Sequence, residues 1–122
     1  MSWSFEGSIP IYTQLITRLK RAIIAGEYPP GSKLPSVREL AQEAGINPNT
    51  AQRALAELER DGLIYTQRTS GKFVTEETAV IENAKTQLAC GQIVDFLSAM
   101  QALGFSADQT LELLQSAIKE EN

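Results

Sequence analysis

Asn49, Gln52 and Arg53 lie close behind the dipeptide Asn47-Pro48. At 100° per residue on a helix, Asn49 and Arg53 share one side and Gln52 lies on its shoulder. A carboxamide can pair bidentately with adenine and a guanidinium with guanine, so this set could read base edges from the start of a helix. Ala56 and Arg60 continue the same side. Ala56 has no bulk to hold the helix off a groove floor, and Arg60 lies far enough along to meet phosphate or solvent. Opposite them fall Ala51, Leu55 and Leu58, with Ala54 beside, forming the side to be buried. In isolation, the wet face of any amphipathic helix would look similar, so the reading depends on the flanking elements.

Those elements favour recognition. Asn47 is a good N-cap, Pro48 suits the first helical position, and Gly62 ends the predicted helix. A shorter helix precedes it. Ser36-Val37-Arg38-Glu39 has the spacing of a capping box, and Gly45 stops the segment. Two such helices joined through a glycine-containing turn make a helix-turn-helix. Upstream, Pro10 to Ala25 reads as an amphipathic helix, with Ile11, Leu15, Leu19 and Ile23 as its apolar stripe and Tyr12, Ile16 and Ile24 widening it. Tyr28-Pro29-Pro30-Gly31 is a turn. Downstream, Leu63–Thr66 and Phe73–Thr75 are β-prone and flank the polar loop Gln67–Lys72, which predicts a hairpin. A helix-turn-helix followed directly by a hairpin is the order of a winged helix.

Lys33 and Arg38 are placed to clamp phosphates beside a groove, and the amides near Ser36 and Val37 to receive a phosphate oxygen. A solvated turn residue is the alternative for Lys33, and an acidic helical neighbour the alternative partner for Arg38. Arg68 and Lys72, at the hairpin tip, suit a minor-groove or backbone contact, against the alternative of an idle charged turn. Trp3 and Phe5 are expected to pack the N-terminal arm onto the body.

From Glu76 onward the pattern is helical. Leu88, Val94, Leu97 and Met100 recur along one long helix ending at Gly104. Ser106-Ala107-Asp108-Gln109 then forms a second capping box, opening a helix with Leu111, Leu114 and Ile118 on one stripe. Neither helix can bury its stripe alone, so the pair is expected to associate with a copy of itself. Cys90 reads as a small interface or core residue.

Composition bounds the function. The 122 residues suffice for one domain of ordinary size. No apolar run approaches the roughly 20 residues of a membrane span, and the first ten residues lack the pattern of a secretory signal. With one cysteine and no histidine, the chain offers neither an intrachain disulfide nor a zinc site of the usual ligands. A cytoplasmic location is expected, and no cofactor. The commonest general base is missing, and no catalytic constellation appears, so an enzyme is not expected. The net charge of −4 is unevenly spread: residues 1–75 hold nine Lys/Arg against seven Asp/Glu, and residues 76–122 two against eight. The first part could face phosphate and the tail water.

The residues in register resemble a family. Pro10-Ile11-Tyr12, Gln14-Leu15, Gly26, Tyr28, Pro30-Gly31, Leu34 to Ala41, Asn47 to Thr50, Leu58-Glu59 and Asp61 to Ile64 resemble the GntR family of bacterial regulators. The Asn-Pro-Asn-Thr start of the third helix and the short helical tail are similar to its YtrA subfamily. The resemblance implies a transcriptional repressor that binds an inverted-repeat operator in double-stranded DNA as a homodimer, often beside an ABC transporter operon. It carries DNA contacts onto Arg38, Asn49, Thr50, Gln52, Arg53 and the wing around Gly71. It also implies a tail too short for a large effector domain, and leaves any small effector unnamed. The chain departs from the family at the wing, where Arg68-Thr69-Ser70-Gly71 stands for the usual Arg-Gly-x-Gly; Thr69 replaces a residue that accepts positive φ freely.

The expected architecture is therefore mainly α with a small β-hairpin. A winged helix-turn-helix over residues 1–75 is followed by a C-terminal two-helix dimerisation hairpin over residues 76–122. The competing reading is a winged-helix adaptor that docks a protein. An adaptor would carry apolar side chains where Asn49, Gln52 and Arg53 stand.

Overall fold

The computed structural model describes residues 3–121. Three helices come first: α1 (Ile11–Ile24), α2 (Val37–Ala44) and α3 (Pro48–Arg60). Two antiparallel strands follow, β1 (Ile64–Gln67) and β2 (Gly71–Val74), and then α4 (Thr78–Ala102) and α5 (Ala107–Glu121). The chain divides into two compact units, residues 1–85 and 86–122. No single helix among the described residues is long and apolar enough to cross a membrane.

The helix starts follow the local chemistry. At α2 the reciprocal cap forms as the spacing predicts. The Ser36 hydroxyl accepts from the Glu39 amide at 3.1 Å, and the Glu39 carboxylate accepts from the Ser36 amide at 3.0 Å. Gly45 then takes the left-handed conformation, φ 68°, that ends a helix without a Cβ clash. Two residues later Asn47 caps α3, its side chain accepting from the Asn49 amide at 2.8 Å. α1 starts differently, with no side-chain cap at Pro10. Gln14 ties the arm to it instead. Its amide nitrogen donates to the carbonyls of Glu6 and Ile9 at 2.7 and 2.8 Å, and its oxygen accepts from the Glu6 amide at 2.8 Å. Trp3 packs against the core, with its ring stacked on Phe5 and covered by Arg18.

The core of the first unit gathers Leu15, Leu19 and Ile23 of α1, Leu40 and Ala41 of α2, and Ala51, Ala54, Leu55 and Leu58 of α3. Leu34, Leu63, Ile64 and Val74 root the wing in it. Ile81 of α4 is buried there as well, with Val80 and Ala84 packed alongside, which is why this unit continues to Lys85. Ile11 and Tyr12 depart from the expected stripe of α1. Ile11 is exposed, and Tyr12 is half-buried outside the core cluster. Both stand in the first turn, where the helix has run past the edge of that cluster.

The sheet is wider than the hairpin pattern implied. Beyond β1–β2, the segment 31–34 runs along the other edge of β2. Gly31 donates to the Val74 carbonyl, Val74 to the Ser32 carbonyl and Leu34 to the Lys72 carbonyl, each at 2.9 Å. Lys33 bridges Phe73. This segment follows two prolines and has one buried side chain, Leu34, so it carries no alternation to read.

In the second unit, the residues of α4 beyond Lys85 and those of α5 leave their apolar side chains largely uncovered. Ser106 and Gln109 form the expected reciprocal cap, at 2.9 and 3.1 Å. Thr110 is buried and donates its hydroxyl to the Ser106 carbonyl at 2.8 Å.

Leu55 is 1% exposed, on the side of α3 that packs towards α1. Leu55→Ala should lower unfolding free energy by about 2–5 kcal/mol in urea denaturation at fixed protein concentration. Gln52→Ala, on the exposed side, should change it by less than about 0.5 kcal/mol. Equal effects would contradict this burial pattern.

Candidate nucleic-acid interface

Burial of Ala51, Ala54, Leu55 and Leu58 turns the other side of α3 outward. Asn49, Gln52, Arg53 and Ala56 are all exposed there, and Thr50 is half-buried at the margin. The exposed side of α3 and the wing flank a shallow, open depression of about 590 Å³, lined by Gln52, Ala56, Glu59, Arg60, Thr66 and Lys72. Arg38 is exposed on α2 and, among the described residues, is in no ion pair. The acidic helical neighbour considered as its partner does not pair with it.

The wing differs from its expected form. Its connection is three residues long, Arg68-Thr69-Ser70, because Gln67 pairs with Gly71 and Thr66 with Lys72. Arg68 occupies the turn and is exposed. No described residue other than glycine has positive φ, so Thr69 fits without the conformation that the family glycine would permit. The left-handed position falls on Gly71, φ 113°. A Cβ at Gly71 would also meet the Lys33 side chain at 3.2 Å, so the glycine lets Lys33 cross the base of the wing. Gly71 thus has two steric reasons to be glycine.

Lys72 was expected at the wing tip and is not there. It stands on β2 with its side chain turned towards α3, its ammonium 3.2 Å from the Glu59 carboxylate and 2.9 Å from the Thr66 hydroxyl. Thr66 in turn donates to Glu59 at 2.7 Å. The physical reason is the strand register, which pairs Lys72 with Thr66 and sets its ammonium beside the Glu59 carboxylate. The hydrogen bond from Thr66 holds the Glu59 carboxyl below the usual carboxylate range; partial burial opposes this and Lys72 reinforces it. Arg60 is similarly engaged, 3.3 Å from Glu57.

The Ser36 amide is also taken, since it donates to Glu39 rather than standing open for a phosphate. That amide, and then the Ser36 side chain, keep the Glu39 carboxyl below its ordinary value. Among the described residues, Lys33, Arg38, Arg53 and Arg68 are in no ion pair. Arg53 is held over the ring of Tyr12 at 3.8 Å. Sequence reasoning assigned no site role to Tyr12, Glu59 or Thr66. Only Tyr12 had a legible signal, since an aromatic in the first turn of α1 can reach the helix packed against it.

The comparisons agree with this geometry. Residues 11–74 match the model of the gntR family of bacterial regulatory proteins. The chain belongs to the GntR family. This GntR regulator is 41% identical over 118 residues to the HTH-type transcriptional repressor YtrA of Bacillus subtilis, covering 94% of this chain and 86% of that one. A GntR family transcriptional regulator from Listeria monocytogenes has 39% sequence identity and superposes with a TM-score of 0.84 over 92% of this chain and 98% of its own. AraR(DBD), solved in complex with operator ORX1, has 29% identity and a TM-score of 0.57, covering 62% of this chain and 96% of that one. The family and these relatives are transcriptional regulators and not enzymes, and the winged helix-turn-helix fold is the one expected.

The Glu59–Thr66–Lys72 cluster ties the wing to α3 only while Glu59 is ionised. Because its carboxyl is held low in the folded chain, the stabilisation is fully present above the ordinary carboxylate pKa, about 4.3. It is lost as pH falls through the lowered folded value. On acidification, the amide protection factors at Tyr65 and Phe73, the pair bonded across β1 and β2, should fall before those of Leu55 and Leu58, and Glu59→Gln should show the lower wing protection already at neutral pH. Acid-dependent loosening of the wing that persists unchanged in Glu59→Gln would rule this cluster out as its cause.

Proposed function

We propose that this GntR regulator is a repressor that binds an inverted-repeat operator in double-stranded DNA as a homodimer. The observation that carries the reading is the bare side of α3, where Asn49, Gln52 and Arg53 stand exposed beside a concavity shared with the wing. In this reading α3 enters the major groove. Asn49, Gln52 and Arg53 meet base edges and Thr50 flanks them. Lys33 and Arg38 hold the sugar-phosphate backbone, and Ser36 contributes its hydroxyl rather than its amide. Arg68 reaches outward from the wing tip, Gly71 shapes the turn, and Lys72 contributes by neutralising Glu59 beside the DNA.

The homodimer accounts for the apolar surface of the second unit. Ile93 is 55% exposed, Val94 64%, Leu103 72% and Leu111 54%, and Phe96, Leu97, Leu113, Leu114 and Ile118 are exposed as well. Contiguous apolar surface of this kind marks an interface. Leu97, Leu111, Leu114, Ile118 and Val94 line it, with Leu88 and Met100 half-buried at its margins; Ile93, Phe96 and Leu103 extend it. A two-fold pair sets two α3 helices about one DNA turn or a multiple apart, which requires half-sites in inverted orientation. Similarity to the YtrA repressor supports repression, and the YtrA subfamily extends the reading to an ABC transporter operon in the cytoplasm. The adaptor reading finds no apolar patch on the exposed side of α3.

Footprinting on the chain's own upstream region tests the whole reading and should protect two symmetric half-sites. Arg53→Ala should cost about 1–3 kcal/mol on that site and relax its base preference. Arg38→Ala should weaken all duplexes alike and flatten the salt dependence of binding. Unaltered affinity and preference in Arg53→Ala would remove α3 as the reading element. Leu97→Asp or Leu114→Asp should shift micromolar protein from dimer to monomer in sedimentation. A dimer unaffected by both would place the interface elsewhere.

A further inference from the structure

Tyr12 is half-buried beyond the apolar core, and its ring carries the guanidinium of Arg53. The guanidinium carbon lies over the ring, 3.8 Å from its centroid. A guanidinium nitrogen aimed into the ring would then stand about 2.5 Å from it, given a C–N bond of about 1.33 Å. That is well inside contact distance, so no single nitrogen points straight into the ring. A guanidinium carries five N–H donors, and contact over one ring leaves donors directed away from it. No carboxylate competes for those donors, since Arg53 is in no ion pair among the described residues. Arg60, farther along the same helix, is closed by Glu57.

The backbone that carries the ring is firmly placed. Tyr12 is the second residue of α1, and α1 packs on α3 through the core that holds Leu15, Leu19, Leu55 and Leu58. The platform and the helix it serves therefore belong to one packed body. From this geometry we infer that Tyr12 is a positioning residue of the reading surface, one that sets the Arg53 fork before DNA arrives. The inference rests on the reading of α3 given above. A guanine edge accepts the fork in one orientation, whereas a phosphate accepts a cation from many directions. Loss of the platform should therefore impair discrimination more than general DNA affinity, because a free arginine must be ordered at the moment of binding.

The test uses the full chain and two probes: a duplex recovered by in vitro selection from a randomised pool, and a random-sequence duplex of equal length. Tyr12→Phe keeps the ring and should bind both as the parent does. Tyr12→Leu should bind the selected duplex about three- to tenfold more weakly, and the random duplex less than about twofold more weakly. In an Arg53→Ala background, Tyr12→Leu should cost nothing further on the selected duplex. An equal cost in both backgrounds, an equal cost on both duplexes, or a Tyr12→Phe as weak as Tyr12→Leu would overturn the proposal. If Arg53→Ala itself bound the selected duplex normally, the reading of α3 would fall. If Arg53→Ala were weak and Tyr12→Leu normal, the platform alone would fall. A measurement on the unmutated, DNA-free protein guards against variants that fail to fold. The Arg53 side-chain protons should show an upfield ring-current shift that those of Gln52 lack, and its absence would also overturn the proposal.

Discussion

The site depends on the rotation of α3 about its own axis. Ala51, Ala54, Leu55 and Leu58 are sealed into a core shared with α1, α2 and the roots of the wing, and that burial fixes which residues face out. A rotation by one residue, 100°, would drive Gln52 and Glu59 towards the apolar interior in one sense or Arg53 and Glu57 in the other, without partners, and lift leucines into water. Burying an unpaired guanidinium costs far more than any local adjustment could recover. Core and polar side therefore specify the same orientation, and the neighbouring parts are built around it. Asn47 caps the start of α3, the reciprocal cap of Ser36 and Glu39 fixes α2 in front of it, and Ile64 and Val74 anchor the wing in the same core.

A chain with a net charge of −4 looks poorly suited to a polyanion, and the pairing of its acids resolves this. Near α3, four carboxylates are occupied within the protein. Glu39 accepts from the Ser36 amide, Glu59 from Thr66 and Lys72, Glu57 pairs with Arg60, and Asp61 pairs with Lys20. Lys33, Arg38, Arg53 and Arg68 are in no such pair among the described residues. Much of the remaining negative charge lies beyond residue 75 in sequence. The local field is thus set by which side chains are already engaged, and the chain's overall balance says little about it.

The parts legible in sequence were those whose chemistry is local. Caps at Ser36, Asn47 and Ser106 depend on residues two or three positions apart, and all three form as the spacing predicts. The sides of α3 follow from period alone. Contacts set by tertiary packing were not legible. Lys72 lies thirteen residues from Glu59 in sequence, and only the register Thr66↔Lys72 brings them together, so its charge was expected at a tip it does not occupy. Tyr12 fits an apolar stripe by spacing, but the first turn of α1 has already left the core cluster. The segment 31–34 becomes a sheet edge only because β2 offers it one. The compact unit reaches Lys85, ten residues past the boundary drawn at the end of the hairpin, because Val80, Ile81 and Ala84 complete a core that a linear pattern cannot show.

The apolar residues beyond Lys85 impose a different kind of constraint. With α5 already in place, Ile93, Val94, Leu97, Leu111 and Leu114 remain in water. Removing apolar surface from water is worth about 25 cal/mol per Å², so several such side chains together make isolation costly. In the proposed homodimer a second copy is the partner, since a two-fold contact lets one surface complement itself. Association then links the two proposed functions of the chain by mass action. Whatever raises the concentration of protomers raises the population carrying two reading helices, and a palindromic site that binds only that population favours its formation in return. Regulation by such a protein would respond to its own abundance before any effector is considered.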